Sequence, residues 1–250
     1  MVAKEATRES AARTAAQFAT THWSTVLAAE DSASAESSAA LERLCRAYWY
    51  PLYAFVRRKG HSPEDAKDLT QAFFERFIEK RFLKGVAAER GRFRTYLLTA
   101  LTHFLANEWD RVKAAKRGGG FRLVSLDSPT LEDRYLADAS NEESAEHYFD
   151  RLWAEAVMDR ALALLEEEHL AAGKAAQFEA LASFLSCLPG EGEYAVVGER
   201  LGLNSHAVAV AVARLRERYR DLIRAEIADT VDSPAAVDTE LHYLIELVSR

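Results

Sequence analysis

Little in this chain interrupts a helix. Five prolines and 11 glycines are spread over 250 residues, too few for a fold built from short strands and tight turns. Alanine, leucine, glutamate and arginine, which lose least on entering a helix, fill the space. Cysteine is nearly absent. Cys45 and Cys187 lie far apart on apolar helical faces, which excludes a disulfide framework and leads us to expect buried free thiols in a reducing cytoplasm. Neither cysteine sits in a metal-ligand spacing, and the seven histidines (His22, His61, His103, His147, His169, His206, His242) contain no His-x-x-x-His pair. A phosphate-cradling glycine loop and a nucleophile elbow are also missing. Gly118-Gly119-Gly120 has no strand before it and reads as a hinge. No apolar run approaches the length of a membrane span, and the opening MVAKEATRESAARTAAQF has no apolar core of a secretory signal. These absences point to a non-enzymatic cytoplasmic protein with no catalytic residues, no metal, no cofactor and no membrane contact.

What is present is core-forming material and one basic block. Hydrophobic residues make up 49% and aromatics 10% of the chain, enough for two small helical domains at this length. The net charge is −7, yet Arg90 to Arg122 holds eight Arg and Lys against Glu108 and Asp110. That block carries +6 and the remainder therefore −13. A compact basic segment in an acidic chain suits local contact with nucleic acid.

The clearest local signal is Tyr194–Arg220, YAVVGERLGLNSHAVAVAVARLRERYR. Tyr194, Val197 and Leu201 form one helical face. Gly198 leaves room for a close neighbour, Gly202 ends the first helix, and Asn204 caps a second one. Val208, Val212, Leu215, Tyr219 and Leu222 continue as its apolar stripe. The alternating Ala207–Ala213 also fits a half-buried strand, but the cap before it and the unbroken 3.6-residue period after it favour a helix. Two helices about a glycine turn are what a helix-turn-helix needs, and the expected ligand is DNA.

Elsewhere the periodicity predicts helices over Ala39–Lys59 (with Pro51 inside it), from Ser62-Pro63 to about Lys80, over Phe93–Lys116, Tyr148–His169 and Ala175–Cys187, and a last one capped by Ser233-Pro234. From Phe121 to about Asn141 the Ser, Asp, Pro and Glu content predicts an extended acidic linker. The expected organisation is all-α: a mobile 1–17, a helical domain 18–117, a linker 118–147, a helix-turn-helix domain 148–231, and an amphipathic helix 232–250. That last helix shows an apolar stripe of Leu241, Leu244, Ile245 and Val248. Two readings stay open for it: added core of the C-terminal domain, or a lid over a binding face.

Three stretches carry a family likeness. EDAKDLTQAFFERFI (Glu64–Ile78), GRFRTYLLTALTHFLANEWDRVKAAKR (Gly91–Arg117) and Tyr194–Arg220 together resemble bacterial RNA polymerase sigma factors of the extracytoplasmic-function type. The likeness covers roughly residues 38–117 and 148–231, in the family's order. It implies a subunit that binds core RNA polymerase, holds open the −10 element of promoter DNA and places its C-terminal domain at the −35 element, with an anti-sigma regulator as a further partner. Under this likeness Asp68, Gln71 and Phe74 face the polymerase. Phosphate contact suits Arg111, Lys113, Lys116 and Arg117. Arg92, Arg94, His103, Asn107 and the neighbouring Trp109 are groups that can hold unpaired bases, and His206, Arg214 and Arg218 lie on the second helix of the C-terminal pair. The chain departs from the family at Ala209 and Ala213, where a basic and a polar residue are usual. That departure keeps an alternative in view: a sigma-like interaction or regulatory protein with weak or no sequence-specific reading of DNA.

Overall fold

The computed structural model describes residues 35–79, 92–114, 128–138, 143–231 and 233–249, with the side chains of 35–46, 78–79, 109–114 and 128–130 left aside. Among the described residues there is no strand, and the fold class is all-α. The helices are α1 Ala35–Arg58, α2 Pro63–Glu79, α3 Phe93–Ala114, α4 Ser128–Asp138, α5 Ala145–Ala171, α6 Ala175–Leu181 followed by a 3-10 turn Ala182–Leu185, α7 Glu193–Leu201, α8 Ser205–Ala228 and α9 Pro234–Val248. Their contacts form two compact units, one within the bounds Met1–Glu155 and Ala228–Arg250, the other Ala156–Ile227.

The first unit is an aromatic core. Tyr48, Leu52, Phe55 and Val56 of α1 are buried with Phe73 and Phe77 of α2, Phe93, Leu97 and Leu101 of α3, and Phe149, Leu152 and Trp153 of α5. Edge-on contacts link the rings: Tyr48 to Phe93 at 5.2 Å, Phe73 to Phe104 at 5.7 Å, Phe55 to Phe149 at 6.4 Å. Pro51 lies inside α1. It has no amide hydrogen for the i→i−4 bond, a loss tolerated where buried Tyr48, Tyr50, Leu52 and Phe55 pack the turns on either side. Ser62 opens α2 as expected, its hydroxyl accepting from the Asp65 amide at 3.1 Å and donating to the Asp65 carboxylate at 2.7 Å.

Three expectations are corrected here. Ser128–Asp138 is helical where the composition indicates an extended linker. Tertiary partners hold it: Glu132 accepts from both Arg57 Nε (2.9 Å) and Arg57 Nη2 (2.6 Å) and from the Tyr53 hydroxyl (2.7 Å), and the Arg57 guanidinium lies over the Tyr135 ring. Burial and Glu132 raise the Tyr53 phenol, and Arg57 holds the Glu132 carboxyl below the usual carboxylate range. The second correction is Cys187, which is exposed. The helical period that would have buried it breaks at the 3-10 turn Ala182–Leu185, whose tighter winding turns later side chains out of register.

The third concerns α9. Ser233 caps it as expected, accepting from the Ala236 amide. The helix belongs to the first unit rather than to the helix-turn-helix half of the chain. Its buried row is Val237, Glu240, Leu241, Leu244 and Leu247, while Ile245 and Val248 are exposed at 51% and 39%. The expected stripe is therefore rotated, because a buried glutamate takes a place on the inner face that hydrophobicity alone gives to leucine-like residues.

The second unit is built on the far half of α5 and on α6 to α8. Val157, Ala161 and Leu165 are buried with Phe178, Leu181, Phe184, Val208, Val212, Leu215, Leu222 and Ile223. The Tyr219 hydroxyl donates to the Met158 carbonyl at 3.1 Å, tying α8 to α5. Arg216 donates to the carbonyls of Phe184 (2.8 Å) and Cys187 (2.9 Å), so it satisfies the open end of the 3-10 turn.

Candidate nucleic-acid interface

Two places in the chain were expected to meet DNA, the start and face of α3 and the α7–α8 pair. At the start of α3 the structure places Arg94 inward. It is 5% exposed, ion-paired with Asp150 of α5 and with Glu240 of α9 at 3.0 Å. Its guanidinium lies over the rings of Trp153 (4.8 Å) and Tyr243 (4.6 Å), and the Tyr243 hydroxyl donates to Asp150 at 2.7 Å. Burial opposes the charge on Arg94, but Asp150 and Glu240 more than offset it and raise its pKa. Arg92 is half-buried and pairs with the same Glu240 at 2.5 Å. The Phe93 amide at the head of α3 donates to the Thr230 carbonyl at 3.1 Å. Arg94 thus departs from the expected role: it is a framework residue, and Arg92 alone of the two keeps a solvent-facing side.

Sequence reasoning could not find this cluster, because Glu240 and Asp150 stand 146 and 56 residues from Arg94. It also decides between the two readings of the tail. Four apolar side chains of α9 are buried, worth at most about 1.5–3 kcal/mol each, and a charged pair is buried with them. The helix is core of the first unit.

Along α3, Thr95, Thr99, Thr102, His103, Ala106 and Asn107 form one exposed stripe, opposite the buried Leu97, Leu101 and Phe104. The hydroxyls of Thr99 and Thr102 are tied to carbonyls four residues back, at 2.8 Å each. The side chains of His103 and Asn107, one turn apart on this stripe, are exposed and make no hydrogen bond with other described residues. Arg111 and Lys113 lie on the helical backbone of α3 with side chains outside the described set, as does Trp109. Lys116 and Arg117 lie outside the described residues.

On α2 the three residues expected to face the polymerase do not share a face. Asp68 is exposed, and Gln71 is half-buried with its amide donating to Glu75 at 3.1 Å. Phe74 is 6% exposed and stacks on Trp49 at 5.4 Å, so it belongs to the core.

The α7–α8 pair has the expected local build. Gly202 ends α7 in the left-handed region at φ 68°, and the Leu203 amide donates to the Gly198 carbonyl at 2.8 Å. A Cβ at Gly198 would overlap the Leu203 carbonyl oxygen, so the turn closes onto α7 only because residue 198 has no side chain. The Asn204 side chain accepts from the Ala207 amide at 2.8 Å, and the alternating Ala–Val stretch is helical. His206 and Arg214 are exposed. Arg218 is half-exposed and donates two bonds to Glu168, at 2.9 and 2.5 Å, and holds the Glu168 carboxyl below its usual range. Arg200, Arg214 and Arg220 are exposed with no ionic partner among the described residues.

Among the described residues no group of three or more His, Cys, Asp or Glu is placed to hold a metal ion, and no helix is long and apolar enough to cross a membrane. In comparisons with known proteins, no family model, no curated protein and no solved structure matches the chain.

Proposed function

We propose that the chain is a sigma factor, a non-catalytic subunit that binds core RNA polymerase in the cytoplasm and directs promoter recognition and transcription initiation. The observation that carries this reading is the α7–α8 pair. Its side-chain-free contact at Gly198, left-handed Gly202 and Asn204 cap set α8 behind a tight turn, with His206 and Arg214 exposed. Short helix pairs of this build present their second helix to the major groove. The free His103–Asn107 stripe on α3 supports it from the other unit, as a surface on which unpaired bases are held. The core polymerase would meet the exposed side of α2 around Asp68. In the alternative reading, a sigma-like interaction protein, polymerase is bound but DNA is read poorly. The alanines and valine on the outer face of α8 are what favour it. Run-off transcription with purified core polymerase tests the proposal. Promoter-dependent transcripts that need the chain, reduced at least tenfold in His103→Ala/Asn107→Ala, are the expected result. Polymerase binding without any transcript would leave the interaction protein standing instead.

A further inference from the structure

The outer face of α8 is short of hydrogen-bonding groups at the turns that enter a groove. His206, Val210, Ala213, Arg214 and Glu217 succeed one another at i, i+4, i+7, i+8 and i+11, opposite the buried Val208, Val212 and Leu215. Val210 is 37% exposed, Ala213 is exposed and Ala209 lies half-buried at its flank. Ahead of Arg214, the exposed side chains of α8 that can bond a base edge are Ser205 and His206.

We propose that α8 reads duplex DNA by methyl contact, with Val210 and Ala213 set against the C5-methyl groups of thymines in the major groove and His206 supplying the directional bond. The proposal rests on the DNA-binding reading above and names the chemistry of the element it reads. Thymine is the one base that offers an apolar group in the major groove. Against the amino or carbonyl edge of another base, an alkyl side chain would strip water and return no hydrogen bond, which penalises the wrong base pair. Arg214 and Arg220 of α8, exposed and without an ionic partner among the described residues, are placed for the flanking phosphates. Glu217 in the fourth turn repels phosphates, and so limits the approach to the first turns. A protein partner suits this stripe less well. It carries no aromatic, leucine or methionine anchor, and its one larger apolar side chain is a valine.

The test is selection of random duplexes by the full-length chain, alone and with core RNA polymerase. The enriched element is then resynthesised with uracil in place of thymine at each position in turn. Uracil removes one methyl, and at the contacted positions binding should fall about fourfold per methyl. In Val210→Ala the thymine-to-uracil ratio at one such position should shrink toward one, with the thermal melt unchanged because the side chain is exposed. An enriched element that binds equally well with uracil at every position overturns methyl reading while DNA binding stands. Failure to enrich any duplex, with or without polymerase, overturns both readings. Weaker polymerase binding by Val210→Ala with an unchanged thymine-to-uracil ratio would assign the stripe to a protein contact and overturn the proposal.

Discussion

The first unit and the second unit each set arginines on a helix that sequence patterning assigns to DNA, and they use them in opposite ways. In the first, Arg94 is sealed between Asp150, Glu240, Trp153 and Tyr243. In the second, Arg214 stands exposed, while on the same helix Arg216 is bonded to the Phe184 and Cys187 carbonyls and Arg218 forms an exposed pair with Glu168. An arginine is a building block when acids and rings converge on it from distant segments, and a surface charge when they do not. The residue type is the same in both units. Burial decides the role.

The widest separation between the two units should appear in stability. Arg94→Ala takes the buried cation from Asp150 and leaves Glu240 with the half-buried Arg92 alone, and breaking a buried pair in this way costs about 3–5 kcal/mol. Arg214→Ala should stay within roughly ±0.5 kcal/mol. Denaturant unfolding of the two variants measures the difference, and equal midpoints would erase the contrast drawn here. Leu244→Ala tests the same unit from the α9 side, with an expected loss of about 2–5 kcal/mol for a buried leucine. A variant as stable as the parent but more active in transcription would make α9 a lid after all.

The second unit has its own sensitive point. Gly198→Ala forces a methyl onto the Leu203 carbonyl oxygen, and backbone cannot swing away as a side chain would. A loss of about 1–3 kcal/mol is expected, as for other overpacked sites, together with weaker DNA binding because α8 is tilted. Thermal melts that match the parent would mean the turn is looser than described.

The smallest effect is acid-dependent and belongs to the first unit. Arg57 depresses the Glu132 carboxyl, so the carboxylate's contribution is present above the ordinary carboxylate pKa and is lost as pH falls through the lower folded value. Glu132→Gln should therefore be less stable than the parent near neutrality, by about 1 kcal/mol, since the part-buried glutamine still hydrogen-bonds its partners. The two should converge only once pH has fallen through the depressed folded value, below the ordinary glutamate range. A gap that persists at low pH would show that packing of α4, rather than the charge, is what Glu132 supplies.

The local rules that served best were those acting over a few residues. Ser62, Asn204 and Ser233 act as caps, and Gly202 ends its helix. The Ala207–Ala213 run is helical, because the cap and the following period outweigh its alternation. The rules failed where partners come from afar. α4 looks like linker until Arg57 and Tyr53 close on Glu132, and Cys187 looks buried until the 3-10 turn shifts its register. Phe74 has the spacing of a surface triplet with Asp68 and Gln71, yet Trp49 draws it into the core.

By itself the sequence determined the all-helical class, most helix starts and stops, and the build of the α7–α8 turn. Capping, glycine conformation and 3.6-residue periodicity are decided within one or two turns of chain. Only the tertiary structure decided that α9 packs in the first unit, that Glu240 is buried there, and that Arg94 is framework while Arg214 is surface. Each depends on which groups meet across more than 50 residues of chain, and the worth of a charge is set by that meeting rather than by its neighbours in the sequence.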